Sequence, residues 1–274
     1  MGGTALTQIE HESYPPRHHV LRDLRVEFEM RADGTGHAWL PASEFVRNPS
    51  GSVHAGVLAT LVDLMGGGLA AATVQPDWIA TADLTLHVLP RPAGDEVEGV
   101  ARVLRAGRTT AVIEVELHDD RGALGIATMS FARLPRRADN PVLPTPGVGG
   151  RGTMALPDSH LTEPIVDRLG FEVVDAARGA VELPLGSYIV NTLGAMQGGI
   201  VATAAVVAAD TIVGAHAGIA VEVCDLQITY LALVKAGPLR TTARLIDPTT
   251  ADVSILDAGG RVTTVATAVA VQAA

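Results

Sequence analysis

The sequence repeats itself. Phe28-Glu29 recurs as Phe171-Glu172, Gly36 as Gly179, Leu40-Pro41 as Leu183-Pro184, and Asn48 as Asn191. Gly51 recurs as Gly194, Gly56 as Gly199, and Ala59-Thr60 as Ala202-Thr203, all at an offset of 143 residues. Asp83-Leu84 and Asp225-Leu226 follow at 142, and Ala127-Thr128 and Ala266-Thr267 at 139, as short loop deletions in the second half would give. Ordered matches at a near-constant offset mean a duplicated unit. The 274 residues hold two domains of about 100–150 residues each. The expected division is a first domain over 1–138, a linker over 139–160 and a second domain over 161–274. The linker is marked by Pro141, Pro144, Pro146, Gly147, Gly149, Gly150, Gly152 and Pro157.

Each copy follows one plan. Copy one predicts strands over 26–30 and 36–40, a helix over 54–74, then strands over 81–89, 96–106, 109–118 and 125–134. Copy two predicts a helix over 198–213 and strands from residue 220 onward. Apolar and polar residues alternate in Ile113-Glu114-Val115-Glu116-Leu117, as in an antiparallel sheet with one wet face. The helix from Ala55 to Val74 carries a single charge, Asp63, and a helix apolar all round is buried. Gly66-Gly67-Gly68 would weaken it by roughly 1 kcal/mol each relative to Ala, which suggests that backbone or ligand approaches closely there. The apolar run 198–209 ends at Asp210, too short for a bilayer span and better read as a buried helix. The class is α+β: two antiparallel sheets, each curled round a central helix, paired within one chain.

Composition removes several functions. The net charge is −10 and no dense Lys/Arg run exists, which argues against nucleic acid. A single cysteine, Cys224, leaves no disulfide framework and no Cys-based zinc site. The first ten residues have neither a basic nor an apolar signal region, so a cytoplasmic protein without membrane attachment is expected. There is no Gly-x-Ser-x-Gly elbow and no His-Glu-x-x-His. The run from Gly147 to Gly152 matches a dinucleotide fingerprint by letter but follows no strand.

The strongest local signal is Asn48-Pro-Ser-Gly51-Ser-Val-His54-Ala55-Gly56, with Asp63 nine residues after His54. This resembles the hot-dog-fold thioesterases of the phenylacetyl-CoA thioesterase type, whose motif is Asn, a Gly, His-Gly-Gly and an Asp nine after the His. Ala55 replaces the first Gly of that pattern. The resemblance implies a double hot-dog protein that hydrolyses an acyl-CoA or acyl-carrier thioester. It implies no metal and no cofactor, CoA entering only as part of the substrate.

Copy two reads Asn191, Gly194, Gln197-Gly198-Gly199, with Val206 where the Asp belongs. Helix geometry then pairs the copies. Asp63 lies eight residues into its helix, roughly 12 Å from the N-terminus at about 1.5 Å per residue, beyond the reach of its side chain. The helix N-terminus that it serves must belong to the other copy. One composite site is expected from Asp63, with Asn191, Gln197 and the Gly198 N–H of copy two; the resemblance adds Thr81, at a position where relatives often carry a Ser or Thr that orients the water. The reciprocal pocket, with Val206 facing Asn48, His54 and Ala55, is expected to lack its acid; Asp210, one turn on, would point from a different depth. His54 reads as a loop histidine. Arg105 and Arg108 are candidates for CoA phosphate contacts, with a solvated hairpin the equal alternative. A non-catalytic acyl-CoA-binding module is the competing reading, and a homodimer of the double unit is left open.

Overall fold

The computed structural model describes residues 14–136 and 149–273. Residues 1–13, 137–148 (with Arg137 and the start of the expected linker) and 274 lie outside the described residues. The helices are α1 (Val20–Asp23), α2 (Ala55–Val74), α3 (Ile165–Leu169) and α4 (Gly198–Ala217). The first-half strands are β1 (Glu27–Met30), β2 (Gly36–Pro41), β3 (Trp78–Val88), β4 (Glu96–Ala106), β5 (Thr110–Asp119) and β6 (Gly122–Leu134). Then come β7 (Gly152–Thr153), β8 (Glu172–Asp175), β9 (Ala180–Leu183), β10 (Val221–Tyr230), β11 (Leu239–Asp247), β12 (Thr250–Leu256) and β13 (Val262–Gln272).

The thirteen strands among the described residues join one sheet in the order β7-β1-β2-β4-β5-β6-β3-β10-β13-β12-β11-β9-β8. Each half wraps its own long helix. Alternation along β5 sends Ala111, Ile113, Val115 and Leu117 inward, where they meet Leu58, Leu61 and Val62 of α2 in the core. The halves join through β3 and β10, antiparallel, with Leu86 opposite Leu226 and Leu84 opposite Ile228. The repeat-related acids cap this seam: Asp225 meets the His87 imidazole at 2.8 Å, and Asp83 accepts from Thr229 at 2.9 Å. The sheets of the two copies thus pair, as the repeat leads one to expect, into one continuous sheet.

Helices α2 and α4 cross at repeat-related residues. A Cβ on Gly56 would lie 2.7 Å from Thr203, and one on Gly199 would lie 2.4 Å from Thr60. Glycine at these two points lets the helices approach closely. The packing sets each N-terminus beside the body of the other helix. The glycine run reads differently: Gly66 lies against Met129, but Gly68 is exposed with nothing within 4 Å. Only the first of the three is required by a close neighbour.

Chain segments cross between the halves. His19, the N-cap of α1, donates from Nε2 to the Val190 carbonyl at 2.9 Å, and Tyr188 donates to Asp23 at 2.9 Å. The Arg25 guanidinium donates to the Ser159 carbonyl. Conversely β7, which falls inside the expected linker, pairs with β1, and Gly149 N–H donates to the Met30 carbonyl. That part of the linker is an edge strand, not a free connector. Neither α1 nor β7 carries a strong sequence pattern, because both are held by contacts distant in sequence.

Candidate active site

Asp63 sits where α2 passes the N-terminus of α4. Its Oδ2 accepts from Gly199 N–H at 2.9 Å and its Oδ1 from the Thr81 hydroxyl at 2.9 Å. A Cβ on Gly198 would lie 2.9 Å from the same carboxylate, so glycine there keeps the carboxylate on the helix end. Helix N-termini leave unpaired N–H groups and concentrate positive potential. Gly199 spends its N–H on Asp63, while among the described residues no hydrogen bond engages Gly198 N–H. One donor therefore holds the acid and its neighbour is open. Burial pushes the Asp63 carboxyl above its ordinary range, and the bonds from Thr81 and Gly199 pull it partly back.

Three of the expected partners, Thr81, Gln197 and Gly198, cluster with Asp63, across both copies. Gln197 is the N-cap residue of α4, but its side chain makes no capping bond; its Nε2 donates to the Tyr14 hydroxyl instead. Asn191 turns elsewhere: its Oδ1 accepts from Leu193 N–H at 2.9 Å and Ala195 N–H at 3.1 Å, shaping the loop before α4. Arg105 and Arg108 are exposed at the β4–β5 hairpin, and among the described residues neither forms an ion pair with protein.

Two tyrosines complete the surroundings. Tyr230 of β10 donates to the Gly198 carbonyl at 2.9 Å, and Tyr14 reaches over from the N-terminal segment. Burial and the Asp63 charge push both phenols upward, so both remain protonated donors. Sequence reasoning missed them, because Tyr14 comes from outside the repeat. Tyr230 ends a strand and gives no motif.

The other end of the helix pair is not without an acid, contrary to expectation. His54 N-caps α2, its Nδ1 accepting from Gly56 N–H at 3.1 Å. Its Nε2 faces Asp210 Oδ2 at 4.0 Å. Glu222 of β10 accepts at Oε2 from Asn48, Ser50 and Ser52. The antiparallel crossing explains this: a residue one turn farther along α4 passes the α2 N-terminus and meets the loop before it. Val206 itself is fully buried.

Comparison with known proteins agrees with this fold. Residues 50–126 match the family described as the thioesterase superfamily. The Halobacterium salinarum protein named "Putative esterase VNG_1336C" is 35% identical over 113 residues, covering 39% of this chain and 74% of that protein. An acyl-ACP thioesterase from Bacteroides thetaiotaomicron superposes with TM-score 0.61 at 13% identity, over 87% of this chain and 98% of that one. The 12:0-ACP thioesterase from Umbellularia californica gives 0.59 at 11% identity, over 87% and 98%. At those identities the likeness to the solved structures is one of fold, the hot-dog fold. The chain belongs to the thioesterase superfamily, and thioester hydrolysis is the general reaction that this membership supports.

Proposed function

We propose that the chain hydrolyses an acyl-CoA thioester to a free acid and a thiol at one composite centre shared by its two halves. The observation that carries this reading is the Asp63 carboxylate, fixed on Gly199 N–H beside the open Gly198 N–H. The thioester carbonyl oxygen meets Gly198 N–H, where the α4 dipole favours the negative charge that develops on attack. Asp63 accepts a proton from water as the water oxygen bonds to the carbonyl carbon. Thr81 holds one carboxylate oxygen and so fixes which lone pairs face the water. The tetrahedral intermediate collapses with loss of the thiolate, which takes up the proton that Asp63 holds. Direct attack by Asp63, through a mixed anhydride, uses the same geometry. The Gln197 amide and the Tyr14 hydroxyl line the approach to the carbonyl.

The substrate carries CoA as its own leaving group, and the reading requires no metal or further cofactor. Arg105 and Arg108 are proposed as contacts for its phosphates. The test is release of free thiol from a panel of acyl-CoAs of differing length and aromaticity. A fall in turnover of about 10²-fold or more in Asp63→Asn supports the reading. An intact Asp63→Asn variant with unchanged turnover would assign hydrolysis to another group, and binding without thiol release would leave an acyl-CoA-binding module.

A further inference from the structure

The end of the helix pair opposite Asp63 has its own unsatisfied chemistry. His54 Nδ1 accepts from Gly56 N–H, so the ring proton sits on Nε2 and points toward Asp210, 4.0 Å away. That spacing exceeds a hydrogen bond, so neither group satisfies the other. Asp210 Oδ1 and Glu222 Oε1 are both buried without a hydrogen-bond partner among the described residues. Glu222 is 3% exposed, and three donors bind only its other oxygen. Its charge acts on both His54 and Asp210, so the carboxylate lies close to both. Buried polar atoms without partners are rare and call for a ligand or a role. The Asp210 side chain keeps 23% of its exposure, so part of it meets solvent.

We infer that His54, Asp210 and Glu222, with the α2 N-terminus, form a second hydrolytic acyl-thioester site, repeat-related to the Asp63 site but with its acid one turn farther along α4. This inference rests on the thioester reading above. The groups divide the work by type. His54 Nε2–H and the α2 N-terminus are donors for a carbonyl oxygen, and the free carboxyl oxygens are acceptors for water. Asp210 takes a proton from water as the water oxygen bonds to the carbonyl carbon and the carbonyl electrons move to oxygen. When they return, the C–S bond breaks and the thiolate leaves with the proton held by Asp210. The exchange of Gln197 for His54 between the copies follows: Asp63 touches its helix end directly, whereas the imidazole spans the extra distance to Asp210. Burial holds the His54 pKa down at about 4, so the ring is neutral and acts as a donor.

Two measurements test this. The first compares thiol release by Asp63→Asn with that by Asp63→Asn/Asp210→Asn, thermal melts confirming that both fold. The double variant is expected at least tenfold below the single. Equal residual rates would overturn the second site while leaving the Asp63 site intact. The second titrates the S-(2-oxoalkyl)-CoA thioether matching the best-hydrolysed acyl group, monitored by calorimetry. Two equivalents per chain are expected for the natural sequence and one for His54→Ala/Asp210→Asn. One equivalent for the natural sequence would overturn the proposal. A chain that releases no thiol from any acyl-CoA refutes the primary reading, a result distinguishable from either outcome.

Discussion

The two ends of the α2–α4 pair start from the same geometry and carry different chemistry. Their scaffolds match closely: Gly56 against Thr203 mirrors Gly199 against Thr60. The acids do not match. Asp63 bonds the opposing helix end directly at 2.9 Å, while Asp210 stands 4.0 Å from the residue that caps it. Backbone packing therefore preserves the duplication, and single side chains differentiate it. A duplicated fold constrains where a site can be, not which acid serves it.

The comparison breaks most sharply at Asp63. Asp63→Asn keeps shape and loses the base, and turnover is expected to fall by about 10²–10⁴, measured as thiol release. Gln197→Ala removes a polar group from the mouth of that site, with a loss in turnover expected to approach about 10²-fold and an unchanged melting curve. The scaffold itself should respond symmetrically. Gly56→Ala and Gly199→Ala each force a Cβ into a threonine and should each destabilise by about 1–3 kcal/mol, read by denaturant unfolding. Strongly unequal losses would show that the crossing is not the shared frame.

Capping gives a smaller contrast. His54→Ala removes the bond to Gly56 N–H and should cost about 1 kcal/mol of stability, whereas Gln197→Ala removes no cap. The last effect is in pH. Burial raises the Asp210 carboxyl well above its ordinary range. An acid of raised folded pKa binds its proton more tightly when folded. Its penalty is absent below the unfolded pKa of about 3.9 and grows as pH rises toward the folded value. Asp210→Asn should therefore raise the melting temperature relative to the natural sequence at pH 8, and do so less at pH 4. The same sign applies to Asp63→Asn.

Much of this was legible in the sequence. The repeat offset, the almost wholly apolar helices and the strand alternation lead to the sheet and to two buried helices within a few residues; α4 runs past 213 to Ala217. The argument from rise per residue placed Asp63 on the opposite helix end, where it lies. Asn191 did not follow, because an Asn in a tight loop bonds its own backbone as readily as a ligand. Glu222 was hidden, and Asp210 set aside as lying at a different depth, for another reason. Their meeting with His54 depends on how far α4 overshoots the α2 N-terminus and on the inward face of β10, neither of which a local pattern encodes. Tyr14 joins the site only through the crossing of the N-terminal segment.

That crossing bears on how the molecule can be divided. A cut between the copies would leave each piece holding a segment that completes the other: residues 14–25 go with the first piece yet bond Val190, Tyr188 and Ser159. If the second piece keeps 149–153, it carries the strand that edges β1. Two fragments made separately should therefore behave as complements that recover each other's order on mixing, not as two autonomous domains.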